Sequence, residues 1–466
     1  MSLSRQLVER WRRVSYSAVP EDLRDAARLH LLDAIGVGLA AAATSAATPY
    51  LRAAPALNGG GGPATIFGLA GGNAPASAAL ANGGMIHALE YDDTHTSSIV
   101  HGSSVLASTA LAAAEGAGAS GEDLLTAYVK GWEVLIRMGL AAPGRFQAQG
   151  FQITSVGGSL AAALVAADLM RLGVDQTVDA IGIALSQSSG VFEFLTNGST
   201  VKSLHAGWAA HAGIVAATLA GSGLTGPATA FEGQFGLFRR FASDDSAAAR
   251  FAAGIETLGE KWDLPQAAFK FYPCCHYIHP FIEALETALA QAPGVAVDTI
   301  DCEVPPGEAL LISEPWQRKL APQTGHEARY SLPVALAARL VEGAVTPVSF
   351  AEAPSGAVLV KAKCVTARPM ADARFPDRFE ARIHVRFANG HSSDVYIDDV
   401  FGGARRPPRR EAVITKFRDN AGMIGRPNDV QALERAILAI EQMPAVHVGH
   451  ALRKIQSAAM AQVAAS

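Results

Sequence analysis

Charge is scarce in this chain. Only 17% of its 466 residues are Asp, Glu, Lys or Arg, against 49% hydrophobic, and 38 basic against 43 acidic residues leave a net charge of −5. Disorder needs the opposite balance and is excluded. Binding to nucleic acid needs a basic stripe that neutralises phosphates, and none is present, so nucleic acid is not an expected partner. Cysteine is rarer still: Cys274, Cys275, Cys302 and Cys364 contain no Cys-x-x-Cys pair, which leaves reduced thiols and no zinc spacing. Long apolar runs are missing too. The nearest, Leu31 to Thr48, holds Asp33, two glycines and mostly alanine, and reads as a buried helix of a soluble protein, so no membrane partner is expected. Met1 to Trp11 is charged and has no signal-peptide core, and the expected location is cytoplasmic.

What the chain has in quantity is small residues, 45 of them glycine, which suits closely packed helices. Its length predicts two or three domains. From Glu21, the residues Leu23, Ala26, Ala27, Leu31, Ala34 and Ile35 recur at intervals of three and four, behind acidic residues in the first turn. The same period predicts helices over 75–87, 104–117, 121–140, 155–172, 178–189 and 206–220, and another from Gln266 onward. Beyond about Pro273 the texture changes. Strands are predicted over 297–305, 358–365 and 379–387, with an Asn389-Gly390 hairpin turn leading into 392–397 and a helix over 333–341 among them. Helical periodicity returns over 430–441 and 446–465. The expected fold is mainly α: a large all-helical domain (1–268), a smaller lid-like α+β domain (269–402), and carboxy-terminal helices (403–466) that return to the first.

Gly36-Val37-Gly38 follows no strand, so it reads as helix packing and not as a dinucleotide fingerprint. The glycine run Gly59 to Gly62 lacks the Lys-Ser/Thr of a phosphate loop and reads as a turn. Three polar clusters stand out. The first runs from His87 through Glu90, Tyr91, Asp92, Asp93 and Thr94 to His95, with His101 beyond it, between two helices where functional groups are usually displayed. It has the residue types of a metal site but neither His-Glu-x-x-His nor EF-hand spacing; the plainer reading is a solvated loop whose Asp93, Thr94 and Ser103 cap helices. The second, Thr200 to Gly207, opens an alanine-rich helix. Its Lys202 either packs its stem along that helix or is buried enough to act as a base. The third, Lys270 to His279, sits at the change of texture, and its paired cysteines read as buried thiols.

Taken together, Leu32-Asp33-Ala34-Ile35-Gly36, the Ala88 to His101 run, Gly150 to Val156, Lys202 to Gly207 and Lys270 to His279 resemble, in order and spacing, the MmgE/PrpD family. That family includes 2-methylcitrate dehydratase, cis-aconitate decarboxylase and iminodisuccinate epimerase. The resemblance spans nearly the whole chain. It implies a large helical domain with a smaller α+β domain, a homodimer, a small carboxylic-acid substrate, and acid–base chemistry that uses no metal or organic cofactor. Glu90 to Thr94 with His101 match the first active-site loop, Lys202 the buried lysine, and Lys270 with His279 the motif lining the cleft. The resemblance thus implies Lys202, His101 and Asp93 as catalytic, and Glu90, Thr94, Gln152, Lys270 and His279 as substrate-binding.

The chain departs from the family pattern at Glu90, where Asp is usual, at Gln152, where His is frequent, and at Val334, where Tyr is frequent. Expelling hydroxide needs an acid as well as a base. With two acids missing, the first expectation is a cofactor-independent epimerase inverting the α-carbon of a dicarboxylate or amino-dicarboxylate such as iminodisuccinate, with Lys202 and His101 on opposite faces. A dehydratase ranks second and a decarboxylase third. An idle helical dimerisation protein would leave the three clusters without a purpose.

Overall fold

The computed structural model describes residues 1–59 and 61–465, with the side chains of all of these but 197 and 456–465. Gly60, within the glycine run read as a turn, lies outside the described residues. The chain forms two compact units. One comprises Met1–Ala88, Asp92–Phe269 and Arg409–Ser466; the other comprises Lys270–Pro408 together with Leu89–Tyr91.

Among the described residues the named elements of the first unit are all helices, and its small residues explain how it packs. The Lys202–Gly221 helix lies against Ile153–Leu169 and Pro75–His87. A Cβ on Gly207 would fall 2.2 Å from the Leu80 carbonyl oxygen, and one on Gly83 would fall 2.9 Å from the Gly207 Cα, so only glycine permits this crossing. That approach brings the carboxy end of one helix, at His87, beside the amino end of another, at Lys202. Among the described residues no single helix is long and apolar enough to cross a membrane. Glu21–Ala42 and the segment after it form one bent pair that passes by length and composition only, and residues Leu31 to Ala41 are buried within the unit.

The carboxy-terminal segment is tied in by charge and shape. Lys416, on the Arg410–Gly422 helix, pairs with Asp33 of Glu21–Ala42 at 2.7 Å, both side chains nearly fully buried. A Cβ on Gly36 would meet Phe417 at 3.0 Å. The Leu32 to Gly36 motif is therefore the seat for this returning helix. Burial pushes the Asp33 carboxyl up to about 6 against the opposing pull of Lys416.

The second unit is built on a four-stranded sheet of order β2-β1-β3-β4. Strand β1 is Val297–Val304, β2 Val365–Pro369, β3 Ala381–Phe387 and β4 Ser392–Ile397; β2 runs parallel to β1, and the other neighbours are antiparallel. Ile300, Cys302, Val304, Ile383, Val385 and Phe387 alternate into its core, packed with helices His279–Gln291 and Leu332–Glu342. The Asn389-Gly390 turn joins β3 to β4, with Gly390 at φ 84°. Two sequence expectations need correction. Residues Gly356–Ala362 are helical and the strand begins only at Val365, because the apolar run was too short to separate a helix turn from a strand. No helix starts at Gln266: a 3-10 turn at Leu264–Gln266 gives way to irregular chain, and the helix begins at His279.

One buried group in this unit predicts a pH effect. Glu308 is fully buried and neither carboxyl oxygen meets a hydrogen-bond partner among the described residues. Burial, with a smaller contribution from the charge of Glu380, pushes its carboxyl up to about 9 from the usual 4.5. A carboxyl raised on folding gives stability that is complete below its unfolded pKa and is lost as pH climbs through the folded one. Glu308→Gln should therefore melt progressively higher than wild type as pH rises toward about 9, by up to roughly 1.4 kcal/mol per pH unit. Parallel melting curves at pH 6 and 9 would refute this.

Candidate functional site

The helical unit holds a cluster of histidines fixed by their ring nitrogens. His101 immediately precedes the Gly102–Ala117 helix, its backbone N–H donating to Thr154 Oγ1 at 3.0 Å. Its Nδ1 lies 2.9 Å from Thr94 Oγ1 and 3.1 Å from the Asp93 carbonyl oxygen. A carbonyl can only accept, so Nδ1 carries the proton and the neutral ring has its lone pair on Nε2. That is the polarity of a general base, and of a general acid once Nε2 is protonated.

His87 ends the Pro75–His87 helix, with its ring 5.0 Å from that of His101. Its Nδ1 donates to Asp92 Oδ2 at 2.7 Å; its Nε2 lies 3.3 Å from the Gln152 amide nitrogen, which donates to it. The Gln152 amide oxygen in turn accepts from His205 Nδ1 at 2.6 Å. Asp92, His87, Gln152 and His205 thus form one chain in which every donor points the same way. Burial, aided by the charge of Lys202, lowers His205 to about 4, so it is a neutral ring. Lys202 stands three residues before His205 on the first turn of Lys202–Gly221, on the same face, and is buried.

Asp93 is placed differently from these. Its carboxylate faces inward, accepting from His30 Nδ1 at 2.7 Å, from Ser103 N at 3.2 Å and from the Ser103 hydroxyl, while Ser103 Oγ lies 2.5 Å from the Tyr128 hydroxyl. What it offers His101 is its backbone carbonyl. His87, Asp92 and His101 gather one ligand atom each within 4.8 Å. Both ring nitrogens of His87 are already engaged, with Asp92 and Gln152, so a metal ion there would have to break one of those bonds first.

The α+β unit carries the other implied residues. Glu90 adopts φ 53°, uncommon for a residue with a side chain, and is buried. The Tyr330 hydroxyl bonds to Glu90, and burial followed by the Glu90 charge holds that phenol well above its usual pKa, so it is a neutral donor. Lys270 and Arg329 both act electrostatically on Cys274, which is fully buried and whose thiol burial pushes up, as expected of inert cysteines. His279 donates from Nε2 to the Cys274 carbonyl at 3.2 Å. Val334 lies in the apolar core, with its N–H capped by Ser331 at 3.2 Å.

The structure thus gathers Thr94, His101, Gln152 and Lys202 with Asp93 in the helical unit, and Glu90, Lys270 and His279 in the α+β unit. Sequence reasoning named His87 and Asp92 in the first cluster and ran the second through His205 without giving any of them a role of its own, and it gave none to Arg329 or Tyr330. Lys202 and His205 at helical spacing, in a run already singled out, were the available signal for one of them.

The chain can now be compared with known proteins. The MmgE/PrpD N-terminal domain family model matches residues 5–249 and the C-terminal domain family model residues 272–442. A cis-aconitate decarboxylase-like protein, oryM, of Aspergillus oryzae is 28% identical over 91% of this chain and 92% of its own length. Cis-aconitate decarboxylase of Aspergillus terreus is 24% identical over 91% and 90%, and that of Homo sapiens 27% identical over 79% and 77%. With both domains matched in order over most of its length, the chain belongs to the MmgE/PrpD family.

Proposed function

We propose that this chain is a cofactor-independent lyase that decarboxylates an unsaturated di- or tricarboxylic acid of the cis-aconitate class, using His101 as the proton donor. The observation that carries the reading is the fixed polarity of His101, whose ring neighbour His87 is linked only to an amide that cannot titrate, Gln152, and through it to a neutral His205. Dehydration requires an acid for the departing oxygen as well as a base. Decarboxylation does not: the C–C bond breaks, CO2 leaves, and the electron pair left on carbon needs a single proton, which Nε2 of a protonated His101 supplies. Lys202 contributes positive charge to stabilise the carbanion as it forms. The same departures at Gln152 and Val334 that argued for epimerisation thus argue only against dehydration, and the relatives, named as cis-aconitate decarboxylases, favour the lyase. The epimerase, with Lys202 and His101 on opposite faces, is the competing outcome.

The test is to incubate chelator-dialysed protein with cis-aconitate and related acids in deuterated water, following CO2 and the site of deuteration. CO2 release at a rate unaffected by chelation, with one deuterium at the far end of the allylic system from the carbon that lost the carboxylate, is expected. Inversion of a chiral substituted succinate without gas release would return the epimerase, and activity restored only by a divalent ion would overturn the cofactor-independent mechanism.

A further inference from the structure

We infer that His30 is a positioning residue for His101: it grips the carboxylate of Asp93 from within the helical unit, and so keeps the Asp93 carbonyl on His101 Nδ1; this rests on the role given to His101 in the lyase reading above. His30 lies on the Glu21–Ala42 helix, far in sequence from the three polar clusters, and is buried, its ring stacked on Phe269 at 4.0 Å and tilted against Trp132 at 5.9 Å. Its Nδ1 donates to Asp93 Oδ2 at 2.7 Å. The same carboxylate accepts from the Ser103 N–H at 3.2 Å and from the Ser103 hydroxyl. That hydroxyl has committed its own proton to Asp93, so the Tyr128 hydroxyl, 2.5 Å away, donates to it. Three helices, Glu21–Ala42, Gly102–Ala117 and Gly121–Ala141, thus converge on one side chain. A buried carboxylate ringed by donors stays where they are, because leaving them unpaired is costly. Its own carbonyl, on the same residue, is then fixed as well.

The two oxygens at His101 Nδ1 are held by different means. Thr94 is fixed by a pair of backbone bonds with Ala268, Thr94 N to Ala268 O at 2.9 Å and Ala268 N to Thr94 O at 2.8 Å. Asp93 is held through its side chain. The difference matters because a hydroxyl either donates or accepts, whereas a carbonyl only accepts. With the Asp93 carbonyl in place, Nδ1 has to carry a proton. Were that carbonyl to drift, the Thr94 hydroxyl alone would face Nδ1 and would be free to donate to it, which admits the other tautomer and a tilted ring. His30 and the Asp93 carboxylate therefore transfer no proton to substrate. They make the polarity of His101 obligatory.

The experiment measures kcat and KM for CO2 release from cis-aconitate in wild type, His30→Phe and His30→Asn, with thermal melts to establish folding. Phenylalanine keeps a ring to stack on Phe269 and deletes the donor; asparagine gives up the ring and places an amide N–H close to where Nδ1 stands. His30→Phe is expected to lower kcat roughly 30-fold with KM within about twofold, and His30→Asn to recover turnover to within about threefold of wild type. A purely structural His30 gives the opposite ranking, with turnover following the ring, and that result would overturn the inference, as would a folded His30→Phe with wild-type kcat or a loss confined to KM. Should His30→Phe fail to fold, Ser103→Ala carries the test. It removes one donor to Asp93 and leaves the backbone N–H, and should lower kcat about tenfold at unchanged KM; unchanged kcat there overturns the inference equally. Its failure is separable from that of the lyase reading. CO2 release that is lost in His101→Ala and kept in His30→Phe removes His30 and spares the lyase. A wild type that releases no CO2 but inverts a chiral substituted succinate, with inversion slowed in His30→Phe and restored in His30→Asn, removes the lyase and spares His30; a wild type with neither activity removes both.

Discussion

His101→Ala is expected to lower kcat for CO2 release about 1000-fold, the range general acid–base groups usually supply, with little change in melting temperature. The small stability effect follows from where the ring sits. His101 precedes a helix without capping it through its side chain, and the bond that ties this position down, from its N–H to Thr154, is made by backbone that alanine keeps. The large kinetic effect follows from the bonds at Nδ1, which make Nε2 the nitrogen whose proton is transferred. Thr94→Val is the control. It keeps the ring and the Asp93 carbonyl but removes one of the two oxygens at Nδ1, and should cost about tenfold as the ring loses alignment. A His101→Ala protein that keeps more than a tenth of wild-type turnover would show that the proton comes from elsewhere.

Lys416→Met should destabilise the protein by about 3–5 kcal/mol at pH 8, because it leaves the Asp33 carboxylate buried without its counter-charge. The loss should depend on pH in a defined direction. Asp33 titrates at about 6 in the folded chain, raised by burial, so below that pH it is neutral in wild type as well and the ion pair no longer contributes. The gap between variant and wild type therefore narrows as pH falls from 8 to 5. Thermal unfolding at the two pH values measures it, and a gap that widens in acid would refute the pairing. Gly36→Val probes the same junction by shape, since its added carbons have to displace Phe417.

Much of the fold is written locally. The helix over 75–87 has the bounds its periodicity predicts, and the Asn389-Gly390 turn sits where two alternating segments meet. Where local signals conflict, the sequence misleads: Val358 and Val360 are β-branched and sit in a helical turn. The site is less legible, for a physical reason. Gln152 bonds to residues 65 and 53 positions away, so the His87–Gln152–His205 chain exists only once three helices have packed. The sequence marks Asp93 as polar and near His101, yet cannot say that its carboxylate turns inward to His30 and Ser103 while its carbonyl turns outward. Tyr330 and Arg329 are similarly hidden. Both feel the charge of Glu90, some 240 positions earlier, and the pattern pointed instead to position 334, which is core.

Gln152 has a consequence for how protons move. An amide presents a donor at one end and an acceptor at the other but neither gives up nor gains a proton near neutral pH, so it transmits orientation and insulates charge. His87 and His205 are therefore both held with the proton on Nδ1 and cannot trade protons through the link between them. To reverse that link the amide must rotate by half a turn, which requires His87 to gain a proton and His205 to move its own to the other nitrogen. A histidine at position 152 would make the same span a wire.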